Sequence, residues 1–265
     1  HGDDGLTIGR EGLQPIYDFI ESSGDSPFFV WYAPFLPHTP HNPPERFLKK
    51  YRNRTESIHV ARYWAMCEWF DETCGDLLSY LDMNNLSENT MVLCVCDNGW
   101  IQQRDARGYA PRSKRSPYEG GIRTPIMFRW PGHTNAERDE KNLVSSIDLA
   151  PTILHACGIE PTAAMHGVNL LDQDAVRERD AVFGAVYTHD AVDVKDARKN
   201  LKYAYVVSGA WKLILPAEPN VQNETAELYH IIDDPNEQKN LAEQHPEKVR
   251  ELRARIKDWW PAAVS

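Results

Sequence analysis

The sequence predicts an α/β domain in which buried strands are flanked by helices, followed along the chain by a smaller α+β subdomain. Two apolar runs, 28–33 and 91–96, lack polar alternation, which is typical of strands covered on both faces. Between them, residues 58–81 carry apolar side chains every three or four positions, which indicates a long helix. From residue 178 the pattern changes to hairpins followed by one helix. We therefore expect domains at 1–177 and 178–265.

The remaining elements are predicted from periodicity and from turn residues. Asp148 is the expected N-cap of a helix whose first turn contains Pro151 and whose end is followed by Gly158. A tight turn at 208–210 should join two antiparallel strands. The other predicted helices are 10–21, 43–51 and 246–260, and the other predicted strands are 124–130, 181–187, 201–207, 211–215 and 227–230.

Composition excludes some classes of function. The 265 residues are 42% apolar and carry a net charge of −10, which argues against nucleic-acid binding but not against a small anionic substrate. No apolar stretch of about 18 residues is present, so we expect no membrane span. The five cysteines do not form a disulfide framework, and we interpret Cys94 and Cys96 as buried apolar residues rather than metal ligands. Since the chain begins at His1, we expect a processed chain or a fragment.

The predicted strand 91–96 stops at Asp97, Asn98 and Gly99. A carboxylate and an amide at the carboxyl end of a buried strand lie where open α/β sheets bind ligands. Their oxygens are the ligands that a hard cation such as Ca²⁺ or Mg²⁺ prefers. The same tripeptide is also an ordinary turn, so a metal site and a simple turn both remain open at this point.

Two further polar patterns have competing interpretations. His38 lies in a proline-rich loop after the predicted strand 28–33, where it could donate to an anionic substrate or pack among the prolines. His41 is expected to be solvated or to support the site indirectly. The carboxylates Glu68, Glu72 and Asp76 recur every four residues on one helix face, which we interpret as a solvated face rather than a catalytic pair.

The segment after Gly99 carries a longer motif. Lys114 follows Asn98 by sixteen residues and precedes Tyr118 by four. This arrangement resembles the sulfatase family, in which a strand ending in Asp-Asn-Gly is followed by Gly-Lys-x-x-x-Tyr-Glu-Gly-Gly-x-Arg-x-Pro and Trp-Pro-Gly. Ser113 departs from the usual glycine before the lysine. The matching residues here are Lys114, Tyr118, Glu119, Gly120, Gly121, Arg123, Pro125, Trp130, Pro131 and Gly132.

The resemblance extends from about residue 28 to residue 260 and implies an alkaline-phosphatase-like sheet and sulfuric ester hydrolysis. It implies that Asp97 and Asn98 bind Ca²⁺ or Mg²⁺, and that Lys114 and His38 hold the sulfate. The family's nucleophile, a formylglycine made within Cys-x-Pro-Ser-Arg or Ser-x-Pro-x-Arg, has no matching motif in this sequence. We therefore expect the sheet to be incomplete at the amino terminus, the formylglycine to lie upstream, and this chain alone to be inactive.

Substrate and location follow from the resemblance only in outline. The implied substrate is a sulfated small molecule or glycan, and a periplasmic or extracellular location is favoured. His189, which follows the predicted strand 181–187, is expected either to face the leaving group or to be a solvated loop residue. Two other functions remain open, namely a phosphoryl hydrolase of the same superfamily and a non-catalytic binding protein.

Overall fold

The computed structural model describes residues 6–218 and 220–260, so His1, on which the expectation of a processed chain rests, lies outside the described residues. The chain forms two compact units. The first comprises His1–Val92, Gln102–Ala110 and Arg129–His133, and the second comprises Leu93–Ile101, Pro111–Phe128 and Thr134–Ser265. The predicted domain boundary at 177/178 falls inside the second unit and stays a prediction.

The first unit contains a helix at each of the three places where the sequence predicted one, which confirms these predictions. They are α1 (Gln14–Ser23), α2 (Glu45–Tyr51) and α3 (Ile58–Met83). Ser57 caps α3 by accepting a hydrogen bond from the Val60 N–H at 3.2 Å. Between α2 and α3 lies an apolar cluster of Phe47, Leu48, Ala61 and Ala65.

The acidic face of α3 is paired rather than simply solvated. Arg46 of α2 forms an ion pair with Glu72, and Lys50 forms one with Glu68. Because these side chains are partly exposed, each pair contributes little to stability. The face therefore has a structural role in holding α2 against α3, and no catalytic pair is needed to explain it.

The predicted strand at 28–33 is wrong, because no strand is assigned there. Phe28, Val30 and Tyr32 pack on a cluster that includes Ile16, Ile20, Tyr80 and Leu81, whereas Phe29 is 67% exposed and Trp31 is 84% exposed. The segment thus has the alternation of a strand but, among the described residues, no hydrogen-bonded partner strand. Burial on both faces was predicted from the apolar run, and only one face is covered.

The central strand is shorter and less buried than predicted. β1 (Val92–Val95) pairs with β2 (Ile126–Arg129), and the residues of β1 are partly covered or, at Val95, exposed. Cys94 is half-buried and Cys96 is exposed, so their interpretation as buried residues is wrong. An apolar run predicts a strand correctly but does not reveal how many layers cover it.

The second unit contains the predicted hairpins. β3 (Val182–Tyr187), β4 (Leu201–Ser208), β5 (Trp211–Pro216) and β6 (Glu227–His230) form an antiparallel sheet in chain order. The helix α7 (Pro246–Trp259) packs Leu252 and Ile256 into the core of this sheet. That core also contains Leu201, Ala204, Val206, Leu213, Leu215 and Leu228.

Asp148 lies at the predicted N-cap position of the helix that starts at Leu149, but its side chain makes no capping hydrogen bond to that helix. The short helix α4 (Glu119–Ile122) precedes β2, and α5 (Leu149–Ala156) starts after a capping box between Ser145 and Asp148. The fully buried Asp148 carboxylate accepts hydrogen bonds from the backbone of Ser145 and Val168 and from both terminal nitrogens of Arg179, at 2.5 and 2.6 Å. Arg179 directly follows α6 (Gln173–Glu178), so one carboxylate joins three segments.

Within residues 6–218 and 220–260, none of the helices is both long enough and apolar enough to cross a membrane.

Candidate active site

The chain after β1 and the Lys114 loop are tied together by two hydrogen bonds within the second unit, one to a backbone carbonyl and one to a side-chain hydroxyl. The Gly99 N–H donates to the Gly121 carbonyl at 2.9 Å. Two residues further on, the Ile101 N–H donates to the Ser113 hydroxyl at 2.6 Å. The chain that follows Asp97 and Asn98 is therefore held against both ends of the loop that carries Lys114.

Gly99 is required by this close approach. A Cβ atom at this position would lie 2.2 Å from the Gly120 carbonyl oxygen, which is backbone and cannot move aside easily. Gly121 is equally constrained, since a Cβ atom there would lie 2.3 Å from the Ser113 carbonyl oxygen. The glycines of Asp-Asn-Gly and of Tyr-Glu-Gly-Gly thus permit two loops to touch through their backbones.

The side chain of Ser113, which stands where the family usually has glycine, has a structural role. It is fully buried, and its hydroxyl is the acceptor for Ile101 described above. The next residue, Lys114, is half-buried, and its ammonium lies 5.7 Å from the centroid of the Trp100 ring, within the range of a cation–π contact. The Ser113 hydroxyl therefore tethers the loop next to the Lys114 ammonium, which a glycine at this position could not do.

A buried ion network, which the sequence did not predict, holds the other end of the loop. Glu119 begins α4, and its backbone N–H donates to the Glu237 carboxylate at 2.6 Å. The ammonium of Lys212, on β5, lies 2.9 Å from a Glu119 oxygen and 2.8 Å from a Glu237 oxygen. The signal in the sequence was a lysine inside the apolar strand Trp211–Pro216, where a charged side chain needs partners.

An aromatic cluster lies next to this network. The Tyr118 hydroxyl donates to the Glu227 carboxylate at 2.9 Å, and the Tyr229 hydroxyl also donates to Glu227. The Arg112 guanidinium lies 4.3 Å from the centroid of the Tyr118 ring. Burial, followed by the hydrogen bonds to Glu227, raises the pKa of both Tyr118 and Tyr229. Both phenols are therefore neutral donors, and they anchor the loop rather than acting as bases.

His38 lies in the first unit, on the loop that follows the extended segment. It is exposed, and its Nδ1 lies 3.1 Å from the Thr39 carbonyl oxygen and 3.2 Å from the Thr39 hydroxyl. Its ring makes an edge contact with Phe35 at 5.0 Å. These contacts hold the imidazole through Nδ1.

The loop around His38 is tethered by Arg10, a residue that precedes it by about thirty positions. Arg10 donates to the Asn42 side chain at 2.7 Å and to the Pro40 carbonyl at 3.3 Å, and its guanidinium lies 5.4 Å from the centroid of the Trp69 ring. His41, expected to be solvated or to act indirectly, is half-buried, and burial is the main cause that lowers its pKa. His41 is therefore a neutral packing residue beside the His38 loop.

His189 lies where the sequence predicted, just after β3, and it is exposed. The loop that carries it is closed by the buried Asn200, whose side-chain oxygen accepts from the Val192 and Asp193 N–H groups and whose amide donates to the Asp193 and Asp196 carbonyls. A loop that is held at its base and exposed at its tip can contact a ligand without large rearrangement. The assignment of His189 to substrate contact stays a prediction.

The oxygen donors at the end of β1 fit a hard cation only in part. Asp97 is exposed, and Asn98 is half-buried with its amide nitrogen donating to the Gly99 carbonyl at 3.0 Å. Calcium needs about six to eight oxygen ligands. No group of three or more histidine, cysteine or acidic side chains suited to a metal occurs in the part of the chain that the structure describes. Asp97 and Asn98 can therefore supply one part of a metal site, but not all of it.

Comparison with known proteins decides the family. The family model described as Sulfatase matches residues 10–159, and the model described as N-sulphoglucosamine sulphohydrolase, C-terminal, matches residues 109–260. The chain belongs to the sulfatase family. The resemblance based on the Asp97 and Lys114 segments is confirmed.

Two curated relatives are sulfatases named for the same sugar. An N-acetylgalactosamine-6-O-sulfatase of Bacteroides thetaiotaomicron is 28% identical over 260 residues, which cover 88% of this chain and 47% of the relative. The human N-acetylgalactosamine-6-sulfatase is 30% identical over 179 residues, which cover 63% of this chain and 33% of that protein. This sulfatase chain thus spans half or less of the length of these relatives.

Solved structures show the fold. Ps i-CgsB in complex with k-i-k-neocarrahexaose aligns with a TM-score of 0.75 at 21% identity, over 97% of this chain and 55% of that one. A protein solved with its substrate D-glucosamine-2-N,6-O-disulfate aligns with a TM-score of 0.60 at 21% identity, over 83% and 46% of the two chains. The predicted α/β, alkaline-phosphatase-like fold class of the sulfatases is confirmed.

The incomplete oxygen set leads to a prediction about calcium. The sulfatase chain alone should bind Ca²⁺ only weakly, with a Kd of roughly 10⁻³ M or above, because Asp97 and Asn98 offer too few ligands. Isothermal titration calorimetry with CaCl₂ measures this, and Asp97→Ala should remove the residual heat. Asp105→Ala, at another exposed aspartate, is the control and should leave it unchanged. Tight stoichiometric binding that survives Asp97→Ala would show that the ion is held elsewhere.

Proposed function

We propose that the protein to which this chain belongs is a sulfuric ester hydrolase that acts on a sulfated sugar. The observation that carries the proposal is the backbone contact that holds the end of β1, with Asp97 and Asn98, against the loop of Lys114. It occurs in a chain of the sulfatase family, whose relatives named above act on a sulfated N-acetylgalactosamine.

The chemistry requires negative oxygens to be gathered and the leaving oxygen to be stabilised. The ammonium of Lys114 would bind the sulfate oxygens, where a fixed cation stabilises the charge that develops in the transition state. The imidazole of His38, when protonated, would donate a hydrogen bond to the sulfate or to the leaving oxygen. These two groups bind and orient the ester; neither forms a bond to sulfur.

Two components come from outside the described residues. A divalent metal held in part by Asp97 and Asn98 would neutralise sulfate charge when it is bound. The formylglycine that is typical of the family supplies the nucleophile, and its motif is absent from this sequence. The role of this chain in catalysis is therefore to bind and position the ester.

Turnover assays test the proposal. The longer protein, with the upstream half of the fold, should hydrolyse an aryl sulfate and N-acetylgalactosamine 6-sulfate in the presence of calcium, whereas the 265-residue chain should show none. The matched phosphate esters serve as the control substrates. Preference for phosphate would favour a phosphoryl hydrolase, and no turnover of either ester would favour a binding protein. Turnover by this chain alone, lost in Lys114→Ala, would contradict the proposal.

His189 should influence which sugar is cleaved. In the longer protein, His189→Ala should change the ratio of kcat/KM between two sulfated sugars by about tenfold, because one hydrogen bond to the leaving group is lost. His155→Ala, at another exposed histidine of the same unit, should leave the ratio unchanged. A panel of sulfated monosaccharides and an aryl sulfate measures it, and a constant ratio across the panel would show that His189 does not contact the substrate.

A further inference from the structure

Three charged side chains are buried together away from the proposed sulfate-binding groups. The side chain of Lys212 is 0% exposed, that of Glu237 is 1% exposed and that of Glu119 is 10% exposed. The Lys212 ammonium lies within 2.9 Å of an oxygen of each carboxylate. Burial raises the pKa of Glu237, and the Lys212 charge opposes that rise. Lys212 is thus the buried cation between the two carboxylates, while the largely exposed Arg123 guanidinium lies 3.9 Å from the other Glu119 oxygen.

Stability alone does not account for such a network. A buried ion pair has a desolvation cost that its attraction only roughly offsets, and apolar side chains of similar volume often serve as well. What the charges add is direction, since the ammonium and the carboxylates keep their contacts only in a narrow hydrogen-bond geometry. A network of this kind therefore specifies the position of the segments that it joins.

The segments that it joins lead directly to the proposed site. Glu119 is followed by Gly120 and Gly121, whose backbones contact Gly99. Gly99 directly follows Asn98. The other end of the same loop is tethered at Ser113, the neighbour of Lys114. A displacement of Glu119 would thus shift the metal-binding oxygens and the Lys114 ammonium relative to each other.

We propose that Lys212 is a positioning residue of this sulfatase, which clamps Glu119 and Glu237 and thereby fixes the spacing between the Asp97–Asn98 strand end and Lys114. The proposal rests on the proposed function for its catalytic meaning, but the clamp itself is a property of this chain. The Lys212 side chain is 0% exposed, so in this proposal it acts through Glu119 and the two glycines.

Amide hydrogen exchange measured on the 265-residue chain tests the clamp. In Lys212→Met, the amides of Gly99, Ile101 and Gly121 should exchange faster by on the order of 100-fold, because breaking a buried pair releases the loop. Arg179→Met is the matched control. It removes the cation of another buried ion pair of the second unit, that of Arg179 with Asp148, but leaves the loop tethers in place. It should lower stability without selectively increasing exchange at these amides.

A second variant keeps the test decisive if Lys212→Met does not fold. Glu119→Leu removes the side-chain contact with Lys212 but keeps the Lys212–Glu237 pair and the backbone bond from residue 119 to Glu237, and it should also increase exchange at the same amides. Unchanged protection at Gly99 and Gly121 in the folded variant, or an equal increase in Arg179→Met, would overturn the proposal.

The longer protein separates this inference from the proposed function. There, Lys212→Met should lower kcat for a sulfate ester by at least tenfold with a smaller change in KM, and Glu119→Leu should do the same. If the longer protein cleaves no sulfate ester but the local exchange effect is present, the proposed function fails and the clamp stands. If the enzyme is active and neither exchange nor kcat responds, the clamp is wrong and the function stands.

Discussion

Replacing Lys114 by alanine in the longer protein is expected to lower kcat for a sulfate ester by about 10²–10³-fold, the usual cost of losing one fixed group that stabilises transition-state charge. The ammonium is compact and lies on a loop that is held at Ser113 and Glu119. The loss should appear mainly in kcat, because the developing charge is greater in the transition state than in the bound ester.

Two variants make this prediction specific. Lys114→Arg should recover only part of the activity, since a planar guanidinium cannot occupy the position of a point-like ammonium. Arg115→Asn is the control: its side chain is exposed, and its φ of 67° is one that asparagine tolerates. It should retain wild-type kcat. Activity of Lys114→Ala within threefold of wild type, at equal thermal stability, would remove Lys114 from the mechanism.

Arg179→Met is expected to be strongly destabilising, with a loss of about 3–5 kcal/mol in the free energy of unfolding. It leaves the fully buried Asp148 carboxylate without its two-pronged cation, although the N–H groups of Ser145 and Val168 remain. Urea unfolding followed by tryptophan fluorescence measures the loss.

The same substitution two residues earlier is the matched control. Arg177 pairs with Asp174 on α6, and both side chains are largely exposed, so Arg177→Met should leave the unfolding midpoint unchanged. If the two variants unfold at the same urea concentration, the buried contact of Asp148 contributes no more than a surface pair, and its structural role is wrong.

Local pattern predicted much of this sulfatase. The helices α1, α3 and α7 were predicted from apolar spacing, α2 and α5 were predicted from proline and capping residues at their ends, and the hairpins of the second unit were predicted from short turns between strands. Both signals depend on residues within a few positions of each other, so the sequence carries them directly. The sulfatase motif also depends on residues close in sequence, from Asp97 to Arg123.

The errors have a common origin. The 28–33 segment has the residues of a strand, but a strand requires a partner, and none of the described residues supplies one. Val95 and Cys96 extend an apolar run that predicted burial on both faces, yet burial is decided by the layers that surround a strand. Neither a partner nor a covering layer is encoded in the segment itself.

By itself, the sequence determined the family, the strand end at Asp97 and Asn98, the loop lysine and the order of elements in the second unit. Only the tertiary structure decided how those site residues are held. Glu119 and Lys212 are 93 positions apart, and Asp148 and Arg179 are 31 apart. Charged residues so distant in sequence each suggest a solvated surface, and they become partners only when folding removes both from water, where an unpaired charge would be too costly.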